Sequence, residues 1–184
     1  VNSFHSRADG EATVEEIRKS GGLAIHAWGS VAKPDHVERI FEEVDSAFGK
    51  LDYFVNNASN GLIGPLDSIG PEHWERSYGT NVIGLHLGTL QAVKRMQAAG
   101  GGRIVSITSP GAHGCIDHFG CQGSMKAAVE SLLRYIARSY GHYGIRANAV
   151  SPGPVAGELL INKYPDHQRL IPYWRSLSSC GRLS

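Results

Sequence analysis

The chain has 184 residues, of which 41% are hydrophobic and 19% charged, and its formal net charge is +1. This balance argues against an electrostatically driven nucleic-acid or membrane-surface binder, and no apolar stretch approaches the roughly 18 residues of a membrane span. We therefore expect a single domain over residues 1–184, with neither nucleic acid nor membrane among its partners.

Cysteine and histidine usage limits the choice of compartment and site. The three cysteines are too few for a disulfide framework, and residues 1–5 show no secretory signal. Both features predict a reducing compartment, the cytoplasm. The nine histidines show no metal-ligand spacing, so no metal site is predicted.

Strand-like runs alternate with segments of helical period along the first third of the chain. Residues 1–4 have the pattern of a strand end, and Thr13-Val14-Glu15-Glu16 is typical of a capping box that opens a helix. Residues 23–28 predict a strand, residues 35–48 an amphipathic helix, and residues 51–55 the next strand.

The alternation continues through the second half. Residues 80–96 predict a long helix, and residues 103–107 a strand. Apolar side chains recur at helical spacing over residues 125–136, residues 146–150 predict a further strand, and residues 164–184 irregular helix and loop. Strands that are apolar throughout indicate a parallel sheet covered on both faces, which binds ligands at the carboxyl ends of its strands.

Polar segments lie at these strand ends and on two of the helices, in a fixed order. They are Asn56-Asn57-Ala58-Ser59, Asn81, Ser109, Lys126 and Asn148-Ala149-Val150-Ser151-Pro152-Gly153-Pro154-Val155. In this order and context they resemble the short-chain dehydrogenase/reductase family over nearly the whole chain. The resemblance implies a Rossmann fold, a doubly wound parallel α/β sheet that binds NAD(P)H.

Further stretches resemble one subgroup, the bacterial enoyl-acyl-carrier-protein reductases whose active-site Tyr and Lys are six residues apart. These stretches are Asn57-Ala58-Ser59-Asn60-Gly61, Glu72-His73-Trp74, residues 101–107, residues 126–132, and Tyr164-Pro165 with Gly181-Arg182. The chain contains no G-x-G-x-x-G motif. We therefore expect the sheet to lack the family's first strand, with its glycine-rich turn, and the last strand.

The resemblance implies a role for each matching residue. Lys126 would bind the nicotinamide ribose and hold positive charge near the reacting carbonyl, and Ser109 would donate a hydrogen bond to that carbonyl. Asn81 would kink its helix and anchor a water. The cofactor contacts would come from Lys126 and from His5, Arg7, Asn57, Ala58, Pro152, Gly153 and Val155. His5 and Arg7 lie just after the predicted second strand of the family fold. A cation there, with no Asp or Glu closing the strand, favours NADPH, with NADH as the alternative.

The chain departs from the family at its tyrosine. Gln122 stands four residues before Lys126 and Phe119 seven before it, so neither position supplies a phenol. Ketone reduction needs an acid at the carbonyl oxygen, and its loss costs roughly 10²–10⁴-fold. Enoyl-thioester reduction leaves an enolate that water can protonate at Cα, so it mainly needs stabilisation of the oxyanion. The two substitutions therefore favour enoyl reduction.

The leading hypothesis is NADPH-dependent reduction of the C=C bond of a 2-enoyl thioester, carried by CoA or acyl carrier protein, in fatty-acid or polyketide-type metabolism. The alternatives are a 3-ketoacyl or carbonyl reductase that uses His113 or His118 as its acid, and a catalytically impaired cofactor-binding relative. The resemblance also implies a homotetramer or homodimer that packs through the helices around Asn81 and Lys126. The apolar surface expected there comprises Val82, Leu85, Leu87 and Leu90.

Overall fold

The computed structural model describes residues 1–155, 167–178 and 180–183, in which strands and helices alternate. The strands are β1 (Asn2–Ser3), β2 (Ala27–Trp28), β3 (Tyr53–Asn56), β4 (Gly102–Ile107) and β5 (Ile145–Val150). The helices are α1 (Arg7–Lys19), α2 (Pro34–Phe48), α3 (Pro71–Tyr78), α4 (Gly84–Ala98), α5 (Gly120–Tyr140) and α6 (His167–Leu177). A π-helical turn, Gly79–Ile83, joins α3 to α4.

The described strands all pair in parallel, in two groups. β1 pairs with β2, and the second group has the order β3-β4-β5. Each consecutive pair of strands is connected through a helix, because a parallel pair needs a crossover of a dozen or more residues. The predicted α/β class with a parallel sheet is confirmed.

A cleft of about 340 Å³ lies between the two strand groups. Asn2 of β1 lines it from one side and Phe54 and Val55 of β3 from the other, together with Gly84 and Gly88 of α4. A Cβ at Gly88 would overlap the ring of Phe54, which would then have to move. Within the described residues the sheet is therefore interrupted between β1 and β3.

The hydrophobic core forms where α2, α4 and α5 pack on the sheet. Leu85 and Met96 of α4 and Ile104 of β4 are completely buried within it. In α2, Val37, Ile40 and Phe41 are buried, as the predicted amphipathic pattern requires. The remaining buried members of this core are Ala27, Val82, Ala92, Val93, Met125, Val129, Leu133, Ile136 and Ile145.

The start of α1 differs from the prediction. The helix begins at Arg7, and the side chain of Ser6 caps it by accepting a hydrogen bond from the Asp9 amide at 3.3 Å. Thr13 lies inside the helix, where its hydroxyl donates to the Asp9 carbonyl. The prediction of a helix opening at the Thr13 capping box is wrong, because Ser6 already occupies the N-cap position two turns earlier.

The strand predicted over residues 23–28 is also shorter than expected. Only Ala27–Trp28 pairs with β1, which itself contains two residues, and Leu23 remains 87% exposed. The expected apolar surface on the long helix is corrected too. Val82 and Leu85 are buried in the core and Leu87 packs against it, so only Leu90 of those four side chains is exposed.

Candidate active site

The carboxyl ends of β3, β4 and β5 share one edge of the sheet. The strand register aligns Asn56 with Ser106 and Ile107 with Val150. Pairing extends one residue further, because the Thr108 amide donates to the Val150 carbonyl at 2.9 Å. The predicted segments Asn57-Ala58-Ser59, Ser109-Pro110 and residues 151–155 therefore follow neighbouring strands at the same edge, and this edge is the candidate active site.

Asn81 connects the helix of the site to the segment after β3. It lies in the π-helical turn and is 1% exposed. Its Nδ2 donates to the carbonyls of Asn60 at 2.6 Å and Ser77 at 2.9 Å, and its Oδ1 accepts from the Ser59 hydroxyl at 2.9 Å. The helix departs from α geometry at this residue, and the hydrogen bonds of Asn81 tie that departure to Ser59 and Asn60.

Lys126 lies in the second turn of α5, with its amine directed at the end of β4. Its Nζ donates to the Ile107 carbonyl at 2.9 Å, and the residue is 7% exposed. Burial lowers the pKa of this amine from its ordinary value, because the charged form loses its hydration. The sheet edge therefore contains a buried amine next to Thr108 and Ser109.

Ser109 follows β4 in an extended conformation and begins a 3-10 turn, Pro110–Ala112. Its Oγ accepts a hydrogen bond from the Gly111 amide at 3.2 Å. A hydroxyl that accepts in this way keeps its own proton free to donate. Ser109 is half-buried at the carboxyl-end edge of the sheet, just after β4, where it can donate to a substrate carbonyl.

A chain of polar groups that the sequence analysis missed lies beside these residues. The Thr108 hydroxyl donates to Oε1 of Glu130 at 2.6 Å, and Oε2 of the same carboxylate lies 2.8 Å from Nε2 of His113. Glu130 lies one helical turn after Lys126, and this i, i+4 spacing on α5 is the signal that would have found it. The Glu130 side chain is 11% exposed, whereas that of His113 is 72% exposed.

The two tyrosine positions hold side chains with different surroundings. Phe119 lies against Gly111, where a Cβ would meet its ring at 2.6 Å. Gln122 lies against Gly61, where a Cβ would meet its Cδ at 2.7 Å. Oε1 of Gln122 is buried and has no hydrogen-bond partner among the described residues. No phenol replaces the missing tyrosine at either position.

A second cleft, of about 500 Å³, lies at the carboxyl ends of β1, β2 and β3. His5 lines it, as predicted for a residue of the adenosine side, and so do Arg76 and Thr80, which the sequence analysis missed. Arg7 is not among the residues that line this cleft, because its guanidinium lies over the Trp28 ring, 5.0 Å from the centroid. The other lining residues are Asn2, Ser3, Phe4, Gly29, Ser30, Val31, Ala58, Ser59 and Asn60.

The remaining predicted cofactor residues border this region. Asn57 lines the cleft between β1 and β3, and Ala58 lines both clefts. Pro152, Gly153 and Val155 follow β5, and Val155 is 55% exposed. The substrate-loop resemblance at Tyr164-Pro165 lies outside the described residues.

The two candidate acids occupy the exposed segment between β4 and α5. His113 pairs with Glu130, as described above. His118 is exposed and adopts a φ of 62°, a left-handed conformation uncommon for a residue other than glycine. Its carbonyl accepts from the Gly64 amide at 2.8 Å, so its backbone connects this segment to the one after β3. His113, unlike His118, is therefore tied by its ring to the polar groups of the site.

Comparison with known proteins decides the family. Residues 2–184 match the family described as enoyl-(acyl carrier protein) reductase. The chain belongs to the short-chain dehydrogenase/reductase family. It is 37% identical over 161 residues to the 1-cyclohexenylcarbonyl-CoA reductase of Streptomyces collinus, a match that covers 87% of this chain and 57% of that protein. The chain thus spans little more than half the length of this relative.

Solved short-chain dehydrogenase/reductases have the same fold. A gluconate 5-dehydrogenase from Burkholderia cenocepacia in complex with NADP and tartrate superposes with a TM-score of 0.88 at 25% identity, over 100% of this chain and 71% of that one. A 7α-hydroxysteroid dehydrogenase in complex with NADH and 7-oxo glycochenodeoxycholic acid gives 0.85 at 27% identity, over 94% and 68%. The Rossmann-like architecture expected from the sequence is confirmed.

None of the described helices is long and apolar enough to cross a membrane. In the same ranges, no group of three or more His, Cys, Asp or Glu side chains is placed to hold a metal ion.

Proposed function

We propose that the protein catalyses the NADPH-dependent reduction of the C=C bond of a 2-enoyl thioester. The observation that carries this proposal is the composition of the sheet edge. A buried amine (Lys126) and a hydroxyl (Ser109) lie there, whereas Phe119 and Gln122 occupy the positions of the family's proton-donating tyrosine. Similarity to a reductase of an unsaturated acyl-CoA, the 1-cyclohexenylcarbonyl-CoA reductase, supports the same reaction.

The clefts and strand ends fit a dinucleotide. The cleft of about 500 Å³ has the volume of a small-molecule site and lies at the carboxyl ends of parallel strands, where this fold class binds its ligands. His5 and Arg76 line it and would face the adenosine end, whereas Lys126 and residues 152–155 would face the nicotinamide end. When bound, a reduced nicotinamide supplies the hydride that the substrate receives at Cβ.

The chain's own residues then act on the thioester oxygen. Hydride addition at Cβ moves the electron pair of the C=C bond toward the carbonyl, which becomes an enolate oxygen. Ser109 donates a hydrogen bond to that oxygen, and the ammonium form of Lys126 stabilises its negative charge. A proton from water then adds to Cα, which completes the saturated thioester without an acidic side chain at the carbonyl.

The preference for NADPH rests on two arginines near the adenosine end. Arg76 and His5 line that cleft, and Arg7 lies nearby on the Trp28 ring. Arginine binds phosphate through two parallel N–H donors, so these side chains favour a 2′-phosphate over a free hydroxyl. NADH is the alternative, and a solved relative was captured with it.

A carbonyl reductase is the second candidate, favoured by one contact. Nε2 of His113 lies 2.8 Å from the carboxylate of Glu130, a contact that holds the imidazole beside Thr108 and Ser109, where it is available as an acid. Two solved relatives carry names of enzymes that act on alcohols or ketones. This candidate predicts reduction of 3-ketoacyl thioesters and its loss in a His113→Ala variant.

The test measures NADPH oxidation by the full-length protein with a short 2-enoyl thioester and, separately, with the matching 3-keto thioester. Each substrate is supplied both as the CoA ester and as the acyl-carrier-protein ester. Oxidation of NADPH with the enoyl ester alone is the expected result. Oxidation with the keto ester alone would refute enoyl reduction and support the His113 candidate. Binding of NADPH without turnover of either ester would identify a catalytically impaired relative.

The exposed apolar side chains of α4 and α5 support an oligomer as the acting species. Leu90 is 44% exposed and Tyr135 is 70% exposed, and both belong to the helices that the family resemblance assigns to subunit contacts. A homodimer or homotetramer would bury them. We expect the protein to be cytoplasmic and to be purified as such an oligomer. Light scattering of the purified protein, with Tyr135→Lys as the disrupting variant, tests this expectation.

A further inference from the structure

Gln122 has an unusual environment for a glutamine in the first turn of a helix. Its Oε1 is buried and lacks a hydrogen-bond partner among the described residues. Gly61, in the segment after β3, lies against the same side chain, and a Cβ there would meet Cγ and Cδ of Gln122 at 2.8 and 2.7 Å. The glycine therefore leaves the space into which the carboxamide extends.

A buried acceptor without a donor is costly, and most such groups in proteins find a partner. An apolar side chain of similar size would remove this cost. Gln122 also lies one helical turn before Lys126, so both side chains are on the same face of α5. The unpaired carboxamide thus lies on the helix face that carries the buried amine, and rotation of the carboxamide toward a ligand bound at the sheet edge would supply the missing donor.

We infer that Gln122, which stands at one of the two positions of the absent tyrosine, is a catalytic residue of enoyl reduction, an inference that rests on the proposed function. Its carboxamide oxygen accepts a hydrogen bond from a ribose hydroxyl of the nicotinamide cofactor, and its NH₂ group donates to the thioester carbonyl oxygen.

This residue makes the site selective for one class of reaction. A carboxamide has two N–H donors and one carbonyl acceptor but releases no proton near neutral pH. It can therefore stabilise an enolate oxygen, as oxyanion-hole amides do, but cannot protonate an alkoxide. Gln122 accordingly supports reduction of an enoyl thioester and cannot itself supply the proton that a phenol gives in direct ketone reduction.

Four variants of the full-length protein test the inference. Gln122→Leu removes both polar ends, Gln122→Tyr installs the phenol, and Gly61→Ala displaces the carboxamide without removing it. Gln97→Leu, on the exposed end of α4, is the matched control for a glutamine-to-leucine change. The measurements are the melting temperature without cofactor, the Kd for NADPH by fluorescence titration, and kcat/KM with the 2-enoyl and 3-keto thioesters.

Replacing Gln122 by leucine is expected to raise stability and lower cofactor binding and activity, whereas the control at position 97 changes neither. Gln122→Leu raises the cofactor-free melting temperature by about 2–4 °C because the orphaned acceptor is gone. It also weakens NADPH binding by about 2–10-fold and lowers kcat/KM for the enoyl ester by about 10²-fold. Gly61→Ala causes similar losses of binding and activity, Gln122→Tyr gains turnover of the 3-keto ester, and Gln97→Leu matches the wild type.

The inference and the proposed function fail in different ways. If the wild type reduces the enoyl ester and Gln122→Leu leaves both the NADPH Kd and kcat/KM within about twofold of it, the inference is overturned. If the wild type reduces no enoyl ester but Gln122→Leu still weakens NADPH binding, the ribose contact is supported and the proposed reaction is refuted. An unchanged Kd in a protein without turnover overturns both.

Discussion

The Nζ of Lys126 donates a hydrogen bond of 2.9 Å to the carbonyl oxygen of Ile107, the last residue of β4. This contact joins α5 to the sheet edge and holds the amine where charge develops during the proposed reaction. Because the amine is buried, its pKa lies below the ordinary lysine value. The site can therefore lose its positive charge at a lower pH than an exposed lysine would.

Replacing Lys126 by methionine should lower kcat/KM for the enoyl ester by about 10²–10³-fold, because one source of oxyanion stabilisation is removed. In the wild type, kcat/KM should decline on the alkaline side with a midpoint below pH 10.5, the ordinary pKa of lysine. As the pH rises, Lys126 loses its proton in the folded protein at a lower pH than in the unfolded chain. Between these two pKa values, the free energy of unfolding of the wild type relative to the methionine variant therefore rises with pH. Urea unfolding at several pH values measures it, and a pH-independent difference would contradict the burial argument.

The contact between Thr108 and Glu130 makes a separate prediction about stability. Thr108 is 4% exposed and donates at 2.6 Å to a carboxylate. Thr108→Val should lower the free energy of unfolding by about 1.5–3 kcal/mol, since a hydrogen bond to a charged group is lost. The control is Thr13→Val on exposed α1, where about 0.5 kcal/mol or less is expected. Equal losses at both positions would show that the carboxylate contact adds nothing.

Asn81 provides a test of hydrogen-bond direction. Its Nδ2 faces two carbonyl acceptors, those of Asn60 and Ser77. Asn81→Asp keeps the shape but places acceptor against acceptor, so it should destabilise the protein by about 3 kcal/mol or more. Asn148→Asp, at an exposed position of β5, is the control and should change stability by about 0.5 kcal/mol or less. A tolerated Asn81→Asp would mean that Nδ2 makes neither bond.

The sequence predicted the elements that an apolar pattern defines. It did not predict the extent of elements that depend on pairing with another strand. The apolar spacing of α2 predicts one buried face with Val37, Ile40, Phe41, Val44 and Phe48. The first three are buried, whereas Phe48 at the helix end is 43% exposed. The strand over residues 23–28 was overestimated because β1 offers only Asn2–Ser3 for pairing.

The same distinction applies to the candidate site. Lys126, Ser109 and Asn81 could be found by order and spacing, since each follows a recognisable strand or helix boundary. Arg76 could not, because it lines a cleft formed by three strand ends that are distant from one another in sequence. The i, i+4 spacing places Glu130 on the same helix face as Lys126, but its contacts with Thr108 and His113 depend on the folded chain. Val82 and Leu85 were placed on the surface because a helix that is apolar all round gives no periodic signal for its buried side.

The ion pair between Arg95 of α4 and Asp45 of α2 makes a prediction about acid stability. Two hydrogen bonds of 2.7 and 2.6 Å join them, and the Arg95 guanidinium holds the pKa of the Asp45 carboxyl below its ordinary value. Asp45→Asn should cost about 0.5–1 kcal/mol at pH 7, a modest value because the carboxylate is 44% exposed. Since the folded pKa is the lower one, this contribution is complete above pH 3.8 and disappears as the pH falls through the folded value.

Glu15, 3.7 Å from Arg18 and more exposed than Asp45, supplies the control for that measurement. Glu15→Gln should leave stability unchanged within about 0.5 kcal/mol from pH 7 to pH 3. An Asp45→Asn difference that persists at pH 2 would assign the loss to packing rather than to charge.

Cofactor choice is predicted to depend more on Arg76 than on Arg7. Arg76 lines the cleft at the ends of β1, β2 and β3, whereas the Arg7 guanidinium lies over Trp28. Arg76→Ala should raise the Kd for NADPH about tenfold and leave that for NADH unchanged, because a charge-assisted bond to phosphate is lost. Arg7→Ala should cause a smaller change, and Arg138→Ala, exposed on α5, none. Fluorescence titration with both dinucleotides gives the ratio of the Kd for NADH to the Kd for NADPH in each variant. If Arg76→Ala weakens NADPH and NADH equally, the arginine contacts a part common to both cofactors, and the 2′-phosphate preference must come from His5 or Arg7.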